Sequence, residues 1–122
     1  MALANNIDKS VYLMYNINYF NLIKNQWYGG TKMKKAVITV TGKDCVGIIA
    51  DVSRVCADNN ANIIDITQSV LDEYFAMIML TDISDLKIPF ADFADGLTEL
   101  GKSKGLDIHT MHEDIFNSMH RI

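Results

Sequence analysis

Apolar and polar positions alternate with two different periods along this chain, and the switches between them mark out the elements. Ala36-Val37-Ile38-Thr39-Val40-Thr41 is short, β-branched and alternating, as a strand requires. From Ile48 the period changes: Ile48, Val52, Val55, Cys56 and Asn59 recur at helical spacing, with Asp51, Ser53, Arg54 and Asp58 on the opposite side. This predicts a helix from Val46 or Gly47 to about Asn59, with Asp44 as its N-cap, closed by Asn59-Asn60-Ala61 because Asn tolerates a left-handed C-cap. Alternation returns over Asn62–Leu71, and Asp72-Glu73 makes a tight reversal into Tyr74–Thr81, giving an antiparallel hairpin. The second strand of that hairpin is apolar on both faces, with Tyr74, Ala76, Ile78 and Leu80 on one and Phe75, Met77 and Met79 on the other. A sheet covered by helices on one side should not look like this. The expectation is that a partner covers the second face, the alternative being methionines that tolerate partial exposure.

Pro89 suits the first turn of a second helix, whose stripe is Phe90, Phe93, Ala94, Leu97 and Leu100, with Asp92, Asp95, Glu99 and Lys102 in water. Gly101 and Gly105 are expected to bracket its frayed end. Leu106 to His112 reads as a fourth strand, and Ile115 to Ile122 as a short helical or irregular tail. The order β-α-β-β-α-β predicts an α+β fold, a four-stranded antiparallel sheet with two helices on one face.

Residues 1–32 differ from the rest. They are rich in Asn and Tyr and carry a net charge of +2, against −6 for residues 33–122 and −4 for the whole chain. Val11 to Ile23 is apolar, but Asn16, Asn18 and Asn21 interrupt it, it falls short of the roughly 20 residues that a span needs, and no small-residue cleavage site follows. A weak amphipathic helix is one reading of this stretch. The reading preferred is an upstream extension without a designed role, with Met33-Lys34-Lys35 as a natural start and 33–122 as the single domain. A chain of 122 residues with 49% hydrophobic and 21% charged content has the composition of a soluble globular protein.

The acidic balance argues against a nucleic-acid partner held by phosphate contacts, and no membrane span is indicated. Cys45 and Cys56 form no CxxC motif, so free thiols in a reducing cytoplasm are expected, with neither a zinc pair nor a redox pair. Cys45, at a helix start, is placed for a lowered pKa, yet no base is identifiable beside it. His109, His112 and His120 with Glu113 and Asp114 invite a metal reading. On a strand, however, His109 and His112 point to opposite faces, so solvated or packing histidines are expected and no metal site. Gln68 reads as a polar contact across a dimer seam or as an edge residue.

Between the first strand and helix, Gly42 and Gly47 bracket a loop that would leave backbone N–H groups unobstructed at a helix N-terminus, which suits a small anion. A plain turn needing glycine for its dihedrals is the other reading. The run from Gly42 to Val52, with Asp44, Gly47 and Ile48 at their places, followed by Ala61-Asn62-Ile63 and a polar strand reaching Gln68, resembles the ACT domain family. The resemblance covers residues 33 to about 115. It is strongest to small stand-alone ACT proteins of bacteria and archaea, whose ending the tail from His112 to Ile122 resembles, and is shared with ACT modules of glycine-cleavage repressors and formyltetrahydrofolate deformylase.

The resemblance implies a ferredoxin-like sandwich that forms homodimers, a non-enzymatic regulatory module without cofactor that binds a small molecule such as an amino acid between subunits. The implied ligand residues are Gly42, Asp44, Val46, Gly47 and Ile48 in the loop, facing Asn62 and Ile63 of the neighbour. Backbone N–H groups near Val46 to Ile48 would hold a carboxylate and Asn62 would offer a donor and an acceptor. Asp44 would accept from an ammonium, or serve only as the helix cap. The alternatives weighed are an adaptor for an unidentified protein partner and an acylphosphatase-like enzyme. The latter needs an arginine in a loop that offers only Lys43.

Overall fold

The computed structural model describes residues 27–28, 31–43 and 46–119. Its framework is a four-stranded antiparallel sheet of β3 (Lys35–Gly42), β4 (Asn62–Leu71), β5 (Tyr74–Asp82) and β6 (Asp107–His112), in the order β4-β5-β3-β6. Helix α1 (Ile48–Asp58) links β3 to β4, α2 (Phe90–Lys104) links β5 to β6, and α3 (Glu113–Met119) follows β6. This is the split βαβ arrangement, so the expected ferredoxin-like α+β fold is the observed one. Ahead of it, β1 (Trp27–Tyr28) and β2 (Thr31–Lys32) pair antiparallel as a separate two-stranded ladder within the segment expected to lack a role. The amphipathic helix considered over Val11 to Ile23 falls outside the described residues, among which no helix is long and apolar enough to cross a membrane.

Alternation along β3 decides the core. Ala36, Ile38 and Val40 lie on the helix side and are fully buried, meeting Met77 and Met79 of β5 and Ile108 of β6. The helices close over them with Ile48, Val52 and Cys56 from α1 and Phe93 and Leu97 from α2. Both predicted helical stripes therefore point inward, and each large side chain buried this way contributes about 1.5–3 kcal/mol.

The other face of the sheet revises an expectation. Met77 and Met79 are not partly exposed but 0% exposed on the helix side, while Ala76, Ile78 and Leu80, with Val37 and Thr39 beside them, are buried on the opposite face of one chain. A second copy is therefore not required to bury β5. Helix α3 lies against β3 and β6, and its Phe116 is buried outside the helix-side cluster.

Local chemistry sets the connections. Asp72 adopts the left-handed conformation that a two-residue reversal between Leu71 and Tyr74 demands, which Asp tolerates better than most residues. Asn60 does the same after α1 at φ 65°, its side-chain amide donating to the Asp85 carbonyl, and Asn59 caps the helix by donating to Val55 at 2.9 Å. Helix α1 begins later than expected. It starts at Ile48 with left-handed Gly47 as N-cap and no side-chain cap bond, so the capping position belongs to Gly47 and not to Asp44. Asp44 and Cys45 themselves lie outside the described residues.

Pro89 stands at the N-cap of α2 rather than inside it, and only Gly105 ends that helix, at φ 71°. Gly101 is buried inside the helix. A Cβ there would come within 2.8 Å of both Ile108 Cγ1 and the Leu106 carbonyl oxygen, so glycine permits α2 and β6 to touch. Gly96, on the same helix, has open space at its Cβ. We predict that Gly101→Ala lowers the urea midpoint, with a loss of about 1–3 kcal/mol, because a backbone oxygen must move. Gly96→Ala raises it by about 0.5–1 kcal/mol through the unfolded chain. Equal effects at the two positions would refute this account of the contact.

Candidate functional site

Six of the seven residues singled out from the sequence are described, Asp44 lying outside the described residues, and those six do not gather in one chain. Gly42 ends β3, where a side chain would run into Leu106. Val46 is 87% exposed, and Gly47 turns the chain at φ 77° into α1. Ile48 buries its side chain in the core at 1% exposure, leaving only its main chain for a ligand. The first intrahelical bond runs from the Asp51 N–H to the Gly47 carbonyl at 3.1 Å. The preceding N–H groups of the first turn thus have no acceptor within the helix, and the N-cap residue Gly47 has no side chain to offer them.

Asn62 and Ile63 open β4 at the other end of the sheet. Gly42 pairs with Phe75, which pairs with Val70, whereas Asn62 pairs with Asp82, which pairs with Lys35. The eight residue steps from Asn62 to Val70 span about 26 Å at ~3.3 Å each. Within one chain the loop and the strand start face no common ligand.

Among the described residues strand β4 is an edge of the sheet, paired on one side only. Ile63, Ile64 and Val70 are exposed along it, Val70 at 70%, and the ladder is irregular between Ile63 and Asp65. Gln68 lies exposed on this strand.

Periodicity carried no sign of a clamp on the loop. Lys43 Nζ meets Glu73 Oε2 of the β4–β5 turn at 2.9 Å and lies 5.6 Å from the centre of the Tyr74 ring. The hydrogen bond and charge of Glu73 hold the Lys43 ammonium above its ordinary range. Both side chains are well exposed, so this clamp orients the loop more than it stabilises the fold. A second ion pair, Lys104 to Asp51 at 2.9 Å, joins the two helices.

His109 faces away from the helices and is exposed, while His112 stacks on Phe90 with ring centres 4.0 Å apart. The opposite-face reading of the pair holds. Among the described residues no three His, Cys, Asp or Glu side chains could hold a metal ion.

A family model described as an ACT domain matches residues 34–110. The chain belongs to the ACT domain family. A UPF0237 protein of Methanocaldococcus jannaschii is 49% identical over 90 residues, covering 74% of this chain and all of that protein. The solved structure of an ACT domain protein from Streptococcus pneumoniae is 40% identical, with a TM-score of 0.61 over 70% of this chain and 96% of that one. A formyltetrahydrofolate deformylase from Pseudomonas syringae shares the fold at 20% identity and TM-score 0.61, over 77% of this chain and 32% of its own. The family match and these coverages leave much of the first 33 residues of this ACT chain without a counterpart.

Cys56, inside α1, is no nucleophile. Burial pushes its thiol from 9.0 up to about 11. The folded state therefore keeps its proton where the unfolded chain releases it, so the contribution of this group to stability is complete below pH 9 and is lost as pH rises through about 11. In a Cys45→Ser background, native protein at pH 8 should resist thiol alkylation until unfolded. Its stability should fall between pH 9 and 11 more steeply than that of the same protein carrying Cys56→Ala. Rapid alkylation of the native state would refute the burial argument.

Proposed function

We propose that this ACT domain is a non-enzymatic regulatory module of the cytoplasm. It acts as a homodimer and binds an amino acid between subunits. The observation that carries the reading is the separation of the implied ligand residues to opposite ends of an open edge strand. Two copies of β4 pairing antiparallel about a dyad at the strand midpoint set Asn62 opposite Leu71 of the partner subunit. That pairing brings the Asn62–Ile63 end of one copy alongside the Gly42–Gly47 end of the other. It also covers Ile63, Ile64 and Val70, which a free edge leaves in water.

In this arrangement the first-turn N–H groups of α1, Ile48 among them, receive the ligand carboxylate, favoured by the helix dipole. Asn62 of the partner subunit bonds the remaining polar groups, and Val46 and Ile63 supply apolar contact. Asp44 is the candidate acceptor for the ammonium. The clamp from Lys43 to Glu73 ties the loop to the β4–β5 turn at the same end, so ligand contact and strand pairing are mechanically linked. The same clamp speaks against an acylphosphatase-like reaction, because the single cation of the described loop is already matched by a carboxylate.

A second reading keeps the dimer and replaces the ligand with a protein partner. The exposure of Val46, at 87%, favours it, since a solvent-facing valine beside an open loop suits an apolar contact. Sedimentation equilibrium of the full chain with a thermal-shift screen of amino acids tests both. We expect a dimer whose melting temperature rises with one amino acid, by an amount corresponding to ~2.7 kcal/mol at a hundredfold excess over Kd. Gly47→Val or Asn62→Ala should abolish that rise. Ile64→Lys with Val70→Lys should give monomers, because edge lysines oppose strand pairing. A dimer indifferent to every amino acid would favour the protein partner, and a stable monomer would contradict both readings.

A further inference from the structure

The sheet face turned away from α1 and α2 holds buried side chains that the described helices do not account for. Val37 and Thr39 of β3 and Ala76, Ile78 and Leu80 of β5 are no more than 3% exposed. The ladder sets them side by side, with Val37 opposite Leu80 and Thr39 opposite Ile78. Helices α1 and α2 pack on the other side of the sheet, and α3 lies against β3 and β6. The seven residues of α3 measure only about 10 Å. Strand β5 alone runs about 30 Å, and four strands at ~4.8 Å spacing spread over about 14 Å. Much of this face is therefore covered from elsewhere in the chain.

The one long stretch outside the described residues is 1–26. Its length suffices, since even at the 1.5 Å per residue of an α-helix it would reach about 39 Å. It leads through Trp27–Tyr28 and Thr31–Lys32 into Lys35 at the start of β3, a central strand of the sheet. Every residue from Val11 to Ile23 except Asn16, Asn18 and Asn21 is apolar or aromatic, and Lys9 and Lys24 stand just outside that stretch. The face has the complementary layout. Its apolar centre is flanked by Asp65 on β4, paired with Leu80, and by Asp107 on β6, paired with Thr41, and both carboxylates are exposed. The net charges agree in sign, +2 for residues 1–32 against −6 for 33–122.

We propose that residues 1–26 dock on this face of their own chain, with Val11 to Ile23 over the buried residues of β3 and β5 and the two lysines toward the acidic rim. The segment read from the sequence as an extension without a role is then a built-in cover of the ACT domain. It closes the flat of the sheet to a second copy and leaves the β4 edge as the surface for pairing. The docking needs neither ligand nor dimer.

The test uses the full chain with Cys45→Ser and Asn16→Cys, carrying a nitroxide spin label at position 16; Cys56 is buried. The methyl NMR signals of Val37, Ile78 and Leu80 should broaden more than those of Val52 and Leu97 on the helix side, and the difference should persist on dilution. Adding Ile17→Lys with Phe20→Lys should abolish the difference and raise binding of the dye ANS as the apolar face opens. Equal broadening on both sides, stronger broadening on the helix side, or a difference that survives the two lysines would overturn the proposal. A mixed sample identifies the source of the cover: spin-labelled chains without isotope are added to isotope-labelled chains without a spin label, all carrying Ile64→Lys and Val70→Lys to oppose edge pairing. Broadening at Ile78 in that mixture would mean that a second copy supplies the cover, and the proposal would fail. Sedimentation reads the β4 dimer separately, so a monomer would overturn the proposed function and leave this cover intact.

Discussion

The ladder between β3 and β5 is the interaction on which the rest of the molecule depends. It runs unbroken from Lys35–Asp82 to Gly42–Phe75 and places β3 and β5 at the centre of the sheet, where both faces are buried. Because each strand alternates, this one register decides which side chains meet the helices and which meet the opposite face, and a slip by one residue would exchange the two sets. It also sets the ends of the sheet. One end receives the glycine loop and the Asp72-Glu73 turn; the other receives Asn62, Lys34 and the start of α3.

Much of this was readable in the chain because local chemistry and global packing agree. The period change at Ile48, the Asp72-Glu73 reversal and the stripe from Phe90 to Leu100 each name an element that is there, and the family pattern from Gly42 to Gln68 names the fold. The misreadings have physical causes. Gly101 looked like a helix stop because glycine commonly is one, yet it serves a close approach between α2 and β6 that exists only after folding. Asp44 had the chemistry of an N-cap, but Gly47 turns the chain into α1 without a side-chain cap. The doubly apolar β5 correctly signalled burial on both faces; what periodicity does not carry is whether one chain achieves that burial alone.

The candidate sites show the same division. Loop residues that are neighbours in sequence could be picked out together, since glycine spacing is a local signal. The distance between Asn62 and that loop is a property of sheet register, invisible until β4 is paired with β5. The acidic rim of the outer face was missed altogether because Asp65 and Asp107 lie far apart in the sequence and come to flank one apolar face only through the pairing of β4 with β5 and of β3 with β6. The separation of the loop from Asn62 gives the proposed dimer its significance, since a two-fold axis on β4 is a simple way to bring the two halves together.

Amide hydrogen exchange along β4 tests that central claim most directly, read at the N–H groups that point away from β5. In an isolated chain no described strand pairs with these groups, and they exchange as a free edge does. If two copies pair through β4, the same groups become protected as protein concentration rises, in the alternating pattern of an antiparallel ladder centred near Ile66 and Thr67. Fast exchange at every concentration, in protein that is otherwise folded, would contradict edge pairing and with it the shared ligand site.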